Sequence, residues 1–370
     1  MPVTLPDNPT LDRLRGDART LQRAVRAGDA EAIAEVRRLH PTGPGPDPAT
    51  FALTAAQLVV ARRCGFASWP RLKRYLDLAG PLRRDPLSTV ADSGPDEFCV
   101  LACLQYTRAD DPRRWARAAD LLRDHPEIVT TSIHAAAAAG DADAVRAHLA
   151  EDPSLPQRVD GPFRWTPLMY LAYSRVAPSG GPGGAVETAR LLLDAGADPN
   201  AGYLWRGMPT PFTVLTGVFG GGELGEVRQP PHPASPALAR LLLERGADPN
   251  DGQVLYNRMF FRSDEHIRLL AEFGLGSGDG GPWRSRLTDA LDPPAELLAQ
   301  QLAWAIEHHM TDRVALLISC GVDVREALPN WPSRALAGLT PVAAARRCGA
   351  DDVVGLLVRA GAPDEPAADR

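Results

Sequence analysis

The segment Leu191–Asn200 reads Leu-Leu-Leu-Asp-Ala-Gly-Ala-Asp-Pro-Asn, and Leu241–Asn250 repeats it as Leu-Leu-Leu-Glu-Arg-Gly-Ala-Asp-Pro-Asn. Weaker copies stand at Leu316–Val324 and Leu356–Ala362. Upstream of these lie Thr166-Pro167-Leu168, Thr210-Pro211-Phe212 and Thr340-Pro341-Val342, with a further copy at Thr131–Ala136. Two pairs of matches reach into the N-terminal part: Ala27–Ala30 with Ala139–Ala142, and Ala61–Gly65 with Ala345–Gly349. A repeated unit of this size restricts the fold strongly, because one short unit cannot bury its own apolar face and must stack on the next.

Each part of the unit has a local physical reading. Thr-Pro starts a helix: the Thr hydroxyl caps free N–H groups and Pro suits the first turn. The Ala-rich stretch Ala135–Ala139 forms a short helix whose small side chains let neighbours approach closely. Gly140 ends it in the left-handed conformation and Asp141 caps the next helix. That second helix brings Leu191, Leu192 and Leu193 to the core, Gly196 closes it, and Asp198-Pro199-Asn200 turns the chain.

Thr-Pro-Leu starts, Gly-Asp between helices and Leu-Leu-x-x-Gly-Ala-Asp-x-Asn ends together resemble the ankyrin repeat, a helix–turn–helix plus hairpin-loop unit of about 33 residues. The resemblance spans residues 130–364. It implies an all-α ankyrin-repeat helical solenoid with short hairpin-like loops and a divergent helical N-terminal region. The closing glycines Gly196, Gly246, Gly321 and Gly361 are spaced unevenly. The long gap between Gly246 and Gly321 predicts a degenerate unit ending near Phe273-Gly274. The excess residues read as Gly/Pro-rich loop insertions near 175–187, 219–236 and 276–296. The expected organisation is a flexible N-terminus at 1–17, helix pairs over 18–127, the repeat array over 128–364 and a disordered tail at 365–370. Within the N-terminal region, pairs are expected over 18–40, 52–79 and 96–125, with a linker at 41–50. The stretch Gly65-Phe66-Ala67-Ser68-Trp69-Pro70 is similar to the helical leader ahead of some bacterial ankyrin arrays.

Composition narrows the function classes. The chain has 370 residues, a net charge of −6, 33 Gly and 35 Pro. Residues 1–80 hold 12 basic and 8 acidic residues, leaving 28 basic and 38 acidic from the totals of 40 and 46. That balance opposes nucleic acid as a partner. No window of 18 uncharged apolar residues exists, so no membrane span is expected. Met1–Asn8 lacks the pattern of a signal peptide. Five cysteines, irregularly spaced, read as reduced thiols in a cytoplasm. Cys99 and Cys103 share a helical face but no further ligand is placed beside them, so no metal is expected. Nothing in the sequence calls for a cofactor. Lys73 is the only lysine among 40 basic residues, an Arg-rich bias that points to a GC-rich, bacterial-type coding genome.

Signatures of catalysis are absent: no Gly-x-Ser-x-Gly, no His-Glu-x-x-His, no Walker motif and no dinucleotide fingerprint. The resemblance implies that His134 ties neighbouring loops together. Glu307 and His308 are conceivable as an acid–base pair, but adjacent helical residues point about 100° apart. Enzymatic activity is therefore the less favoured expectation. The loops between units carry large side chains instead: Arg164 and Trp165, Tyr203, Trp205 and Arg206, Tyr256 and Arg258, and Trp331. Tyr170 and Trp304 sit on the helices that would line the groove. Trp and Arg dominate binding hot spots. The expected function is a protein–protein interaction module or adaptor that binds an unidentified protein or peptide through the groove and finger loops, with Trp165, Trp205 and Arg206 at its centre. The alternative is a small-molecule binder or enzyme in which the insertions close a pocket around Tyr170, Tyr173, Tyr203, Trp205, Trp304 and His308.

Overall fold

A computed structural model describes residues 5, 6, 9–45, 47–89, 91 and 94–364. The expected tail at 365–370 and residues 1–4 of the expected flexible N-terminus lie outside this range. The chain divides into two units: Met1–Arg83 with Leu204–Thr210 and Arg284–Asp292, and Arg84–Tyr203 with Pro211–Trp283 and Pro293–Arg370.

In the first unit, helices Leu11–Arg26, Ala30–Leu39, Leu53–Arg63 and Trp69–Ala79 follow one another. Caps set three of their starts. Thr10, Asp29 and Ser68 each accept a hydrogen bond from a backbone N–H of the first turn. The first helix begins at Leu11, so residues 11–17 are helical rather than part of a flexible terminus. The Thr10 cap, the burial of Leu14 and the packing of this helix on Leu53–Arg63 account for the earlier start. Tyr75 closes this core: its ring lies 5.3 Å from Phe66 and its hydroxyl donates to the Gly207 carbonyl at 3.0 Å.

In the second unit, among the described residues, seven helix pairs follow in order. Their first helices are Gly94–Ala102, Ile133–Ala138, Pro167–Tyr173, Val214–Phe219, Gly252–Met259, Pro294–Glu307 and Pro341–Cys348. From Gly94–Ala102 onward each first helix packs on the next. The second helices are Pro112–Asp124, Ala142–Glu151, Gly181–Asp194, Ser235–Glu244, Glu265–Glu272, Thr311–Ser319 and Asp351–Arg359. This is an all-α stack of helix pairs. It starts one pair earlier than the expected boundary at 128, because Gly94–Ala102 buries Phe98, Cys99, Leu101 and Ala102 and packs on Ile133–Ala138.

Gly196, Gly246, Gly274, Gly321 and Gly361 all adopt positive φ between 85° and 98°. The pair ending at Gly274 is the degenerate unit expected in the long gap. One start differs from expectation. Thr210-Pro211 does not begin a helix; Pro211–Thr213 is a strand neighbouring Gly202–Trp205, and the helix begins at Val214. A capping box of Thr213 and Thr216 wins there, leaving Pro211 in extended backbone. The 175–187 segment is also only partly loop, since a helix starts at Gly181. The 276–296 segment contains the short helix Gly281–Leu287.

The Asn that ends each of the two strongest motifs does more than turn the chain. Asn200 donates to the Gly246 carbonyl and accepts from Asp248 N–H, both at 2.8 Å. Asn250 donates to the Ser277 carbonyl at 3.0 Å and accepts from Gly276 N–H at 2.8 Å. Each amide therefore bridges two successive loops with its donor and acceptor at once. Replacing Asn250 by Ala strands both backbone groups, and we expect a loss of about 1–3 kcal/mol in chemical denaturation.

Candidate partner-binding surface

The side chains of the second unit divide its row of first helices into a covered and an open part. Every residue of Ile133–Ala138, Pro167–Tyr173 and Val214–Phe219 is buried. Two irregular segments lie against them. In the first, spanning 103–111, Leu104 N–H donates to the Tyr173 carbonyl at 2.8 Å and Tyr106 hydroxyl to the Thr216 carbonyl at 3.0 Å. In the second, spanning 220–234, His232 N–H donates to the Val218 carbonyl at 2.9 Å. Arg228 Nη1 joins the two by donating to the Arg108 carbonyl at 3.0 Å.

Arg175 and Arg114 hold these segments in place, and Arg313 does the same for the turn after Gly252–Met259. Arg175 donates Nε to the Pro230 carbonyl at 2.8 Å, Nη2 to Gly217 at 2.7 Å, and Nη1 to Ala172 and Ser174. Arg114 Nη2 reaches the Cys103 carbonyl at 2.7 Å and the buried Asp110 carboxylate at 2.8 Å. Arg313 binds Asp264 at 2.6 Å together with carbonyls of Met259, Phe261 and Ser263. An irregular loop buries backbone carbonyls that no helix or strand can satisfy, and a guanidinium supplies several donors from one side chain.

This arrangement corrects several sequence expectations. Trp165 is 2%, Tyr170 0% and Tyr203 1% exposed, so these rings face the core rather than a partner. They form one aromatic cluster: Trp165 stacks on Phe163 at 4.4 Å and lies 4.8 Å from Tyr173 and 5.1 Å from Tyr203. Tyr170 is positioned by its hydroxyl, which donates to the Asp160 carbonyl and accepts from Phe163 N–H, each at 3.0 Å. Aromatic residues in these loops pack on one another and on Pro167–Tyr173. Arg258 is 8% exposed, its guanidinium 4.7 Å from the Phe261 ring. At Gly221 the loop at 220–234 lies in direct contact with Gly252–Met259: a Cβ there would stand 2.6 Å from the Asn257 carbonyl. Buried Trp165 therefore presents no ring to a partner, unlike the other two residues of the expected centre, Trp205 and Arg206. The latter two belong to the first unit, where they are partly exposed and the Arg206 guanidinium lies 5.6 Å from the Trp205 ring. Arg164 is exposed, and its carbonyl accepts from Arg84 Nε at 3.1 Å.

The open part begins at Gly252–Met259. Tyr256, Phe260, Trp304, His308 and Trp331 are all partly exposed and touch in series. Trp331 lies 5.5 Å from Tyr256, Tyr256 5.2 Å from Phe260, Phe260 5.4 Å from Trp304, and Trp304 3.7 Å from His308. Tyr256 and Phe260, like Trp304 and His308, are four residues apart on their helices and so share a face. Tyr256, Trp304 and Trp331 were expected at a binding surface from sequence, whereas Phe260 was not. The signal for Phe260 was its spacing from Tyr256. His308 donates Nδ1–H to the Trp304 carbonyl at 3.0 Å while its ring stacks on the indole, so the imidazole completes the aromatic surface and the helix end. Glu307 is partly exposed beside it.

Three other imidazoles are buried in this unit. His134 donates to the Arg158 carbonyl at 3.2 Å, tying helix to loop, and burial lowers its pKa. Burial brings His232 down to about 3 and holds His266 well below the ordinary range, with the nearby Arg258 and Arg313 charges acting in the same direction. These groups fold neutral and are protonated in the unfolded chain below about pH 6.5. Their stabilising contribution is complete above that pH and is lost as the pH falls towards their folded values. Buried Asp251, pushed up to about 6 by burial, acts in the opposite sense over roughly pH 6 to 4. Burial raises Asp110 as well, so two carboxyls oppose three histidines; the histidines outweigh them, and the unfolding temperature should fall between pH 6.5 and 5. His232→Gln should flatten that slope in a pH series of thermal melts.

The family comparison agrees with this architecture. The ankyrin repeat family model matches residues 163–202, and that stretch is an ankyrin repeat. The chain is also similar to a solved ankyrin repeat domain from Acinetobacter baumannii AYE, with 21% identity over 65% of this chain and 100% of that one and a TM-score of 0.39. A second similar structure is the human ASB11 ankyrin repeat domain, with 21% identity over 63% of this chain and 85% of that one and a TM-score of 0.36. No curated protein matches the sequence. Ankyrin repeat domains are generally protein–protein interaction modules. Among the described residues, no helix is long and apolar enough to cross a membrane.

Proposed function

We propose that this chain is a protein-recognition module whose partner docks on the open aromatic surface of Trp331, Tyr256, Phe260, Trp304 and His308. The observation that carries this reading is the contrast along one row of helices. Three successive first helices are entirely buried, and the next two display a continuous line of partly exposed rings. Large rings in water are unfavourable and supply the main contact energy of interfaces when covered. The five cysteines are free and fit a reducing compartment such as the cytoplasm. Incorporating a photo-crosslinking benzoyl-phenylalanine at position 260 of the full chain tests the reading in source-cell lysate. A discrete heavier adduct is expected from position 260 and none from position 358, which lies exposed on the last second helix. Equal crosslinking from both positions, or none from 260, contradicts it.

A further inference from the structure

The open surface also carries a charge pattern that specifies what kind of segment it takes. We propose that the exposed faces of Tyr256 and Trp331, together with Glu223 and Glu226, receive arginine or lysine side chains of a basic, extended partner segment; this rests on the recognition reading above.

The two rings lie 5.5 Å apart at a 35° tilt, which makes them one aromatic wall. The Tyr256 hydroxyl donates to Glu223, bringing a carboxylate to the edge of that wall. Burial and this carboxylate both keep the phenol protonated, so the negative charge resides on Glu223. Among the described residues, neither Glu223 nor Glu226 is in a salt bridge, and both are exposed. Arg258 feels the Glu226 charge, but its guanidinium is buried against Phe261. Arg228 on the same loop donates to the Arg108 carbonyl. The loop thus presents two exposed carboxylates, neither in a salt bridge among the described residues, and one of them is bonded to the edge of the aromatic wall.

A ring face attracts a cation through its quadrupole, and a neighbouring carboxylate adds a charged acceptor for the same group. Val227 (74% exposed) and Leu224 on the same loop offer apolar contact to the stem of a long basic side chain. The excess of 38 acidic over 28 basic residues beyond residue 80 favours approach of a basic segment.

The test uses the full chain and three fluorescein-labelled peptides on an alternating Pro-Ala frame, identical except that every third residue is Arg, Gln or Glu. Fluorescence anisotropy at low salt should rank them Arg, then Gln, then Glu, with the Arg probe about tenfold tighter than the Gln probe. Glu223→Gln combined with Glu226→Gln should weaken the Arg probe by roughly three- to tenfold and leave the Gln probe unchanged. High salt should narrow the difference. Trp331→Ser should weaken both probes, with unchanged thermal unfolding as the check that it folds. An Arg probe that binds no tighter than the Gln probe, or that ignores loss of both carboxylates, overturns the proposal. Failure of every probe overturns it too, while a position-260 adduct would still uphold the broader recognition reading.

Discussion

Arg313→Met should destabilise the chain by about 3–5 kcal/mol, the size expected when one partner of a buried ion pair is removed. The Arg313 side chain is 1% exposed and Asp264 is 11% exposed. The substitution leaves the Asp264 carboxylate uncompensated and the carbonyls of Met259, Phe261 and Ser263 without their donor. Those residues form the turn between Gly252–Met259 and Glu265–Glu272, so the unit that bears Tyr256 and Phe260 loses its brace. Met restores most of the volume, which isolates the electrostatic loss from a cavity effect. Denaturant unfolding measures it. Adding Asp264→Asn should recover part of the loss by removing the stranded charge. A single variant within about 1 kcal/mol of wild type would show that this pair does not hold the turn.

Arg175→Met should produce the second large effect, with a different signature. The guanidinium is fully buried and its donors meet carbonyls rather than a carboxylate in direct contact. Removing it relieves the burial of a charge, which is favourable, but leaves four carbonyls short of a donor. At about 1–3 kcal/mol for each buried group left unmet, the second effect wins. The Pro230 carbonyl belongs to the 220–234 segment, which can reach water by lifting away. We expect a global loss of about 2–4 kcal/mol together with local opening of that segment. Trypsin should then cut after the exposed Arg228 well before the core is digested. Cleavage no faster than in wild type would mean that the segment is held by something other than Arg175.

These arginines also show where reading the sequence stops. The repeat was legible because its signals are local: a Gly at left-handed φ, an Asp or Thr cap and a Leu run each act within a few residues. The degenerate unit could be placed at Phe273-Gly274 for that reason. Arg175 and Arg313 look like any surface arginine, because each bonds to a segment about forty or more residues away. The same cause misplaced the binding centre. Trp165 next to Arg164 reads as an exposed hot spot, yet Tyr173, Tyr203 and Phe163 enclose the indole and only the guanidinium side remains outside. Tyr256 and Trp331 look no different in sequence from Tyr203 and Trp165. What separates them is burial: Tyr203 is 1% and Trp165 2% exposed, whereas Tyr256 and Trp331 are partly exposed. Thr210-Pro211 misled for a more local reason: Thr213 and Thr216 offered a better cap.

The central claim is that recognition lies on the open aromatic line and not on the aromatic residues of the first unit. The most direct measurement is titration calorimetry of the position-260 crosslinked partner against three full-length proteins: wild type, Tyr256→Ser with Trp331→Ser, and Trp205→Ser with Arg206→Ser. The open-surface pair should lose at least about 2 kcal/mol of binding, roughly a thirtyfold weakening, while the Trp205 and Arg206 pair stays within about threefold of wild type. Retained affinity in the first variant with loss in the second would contradict the account and return the site to the loop at Trp205.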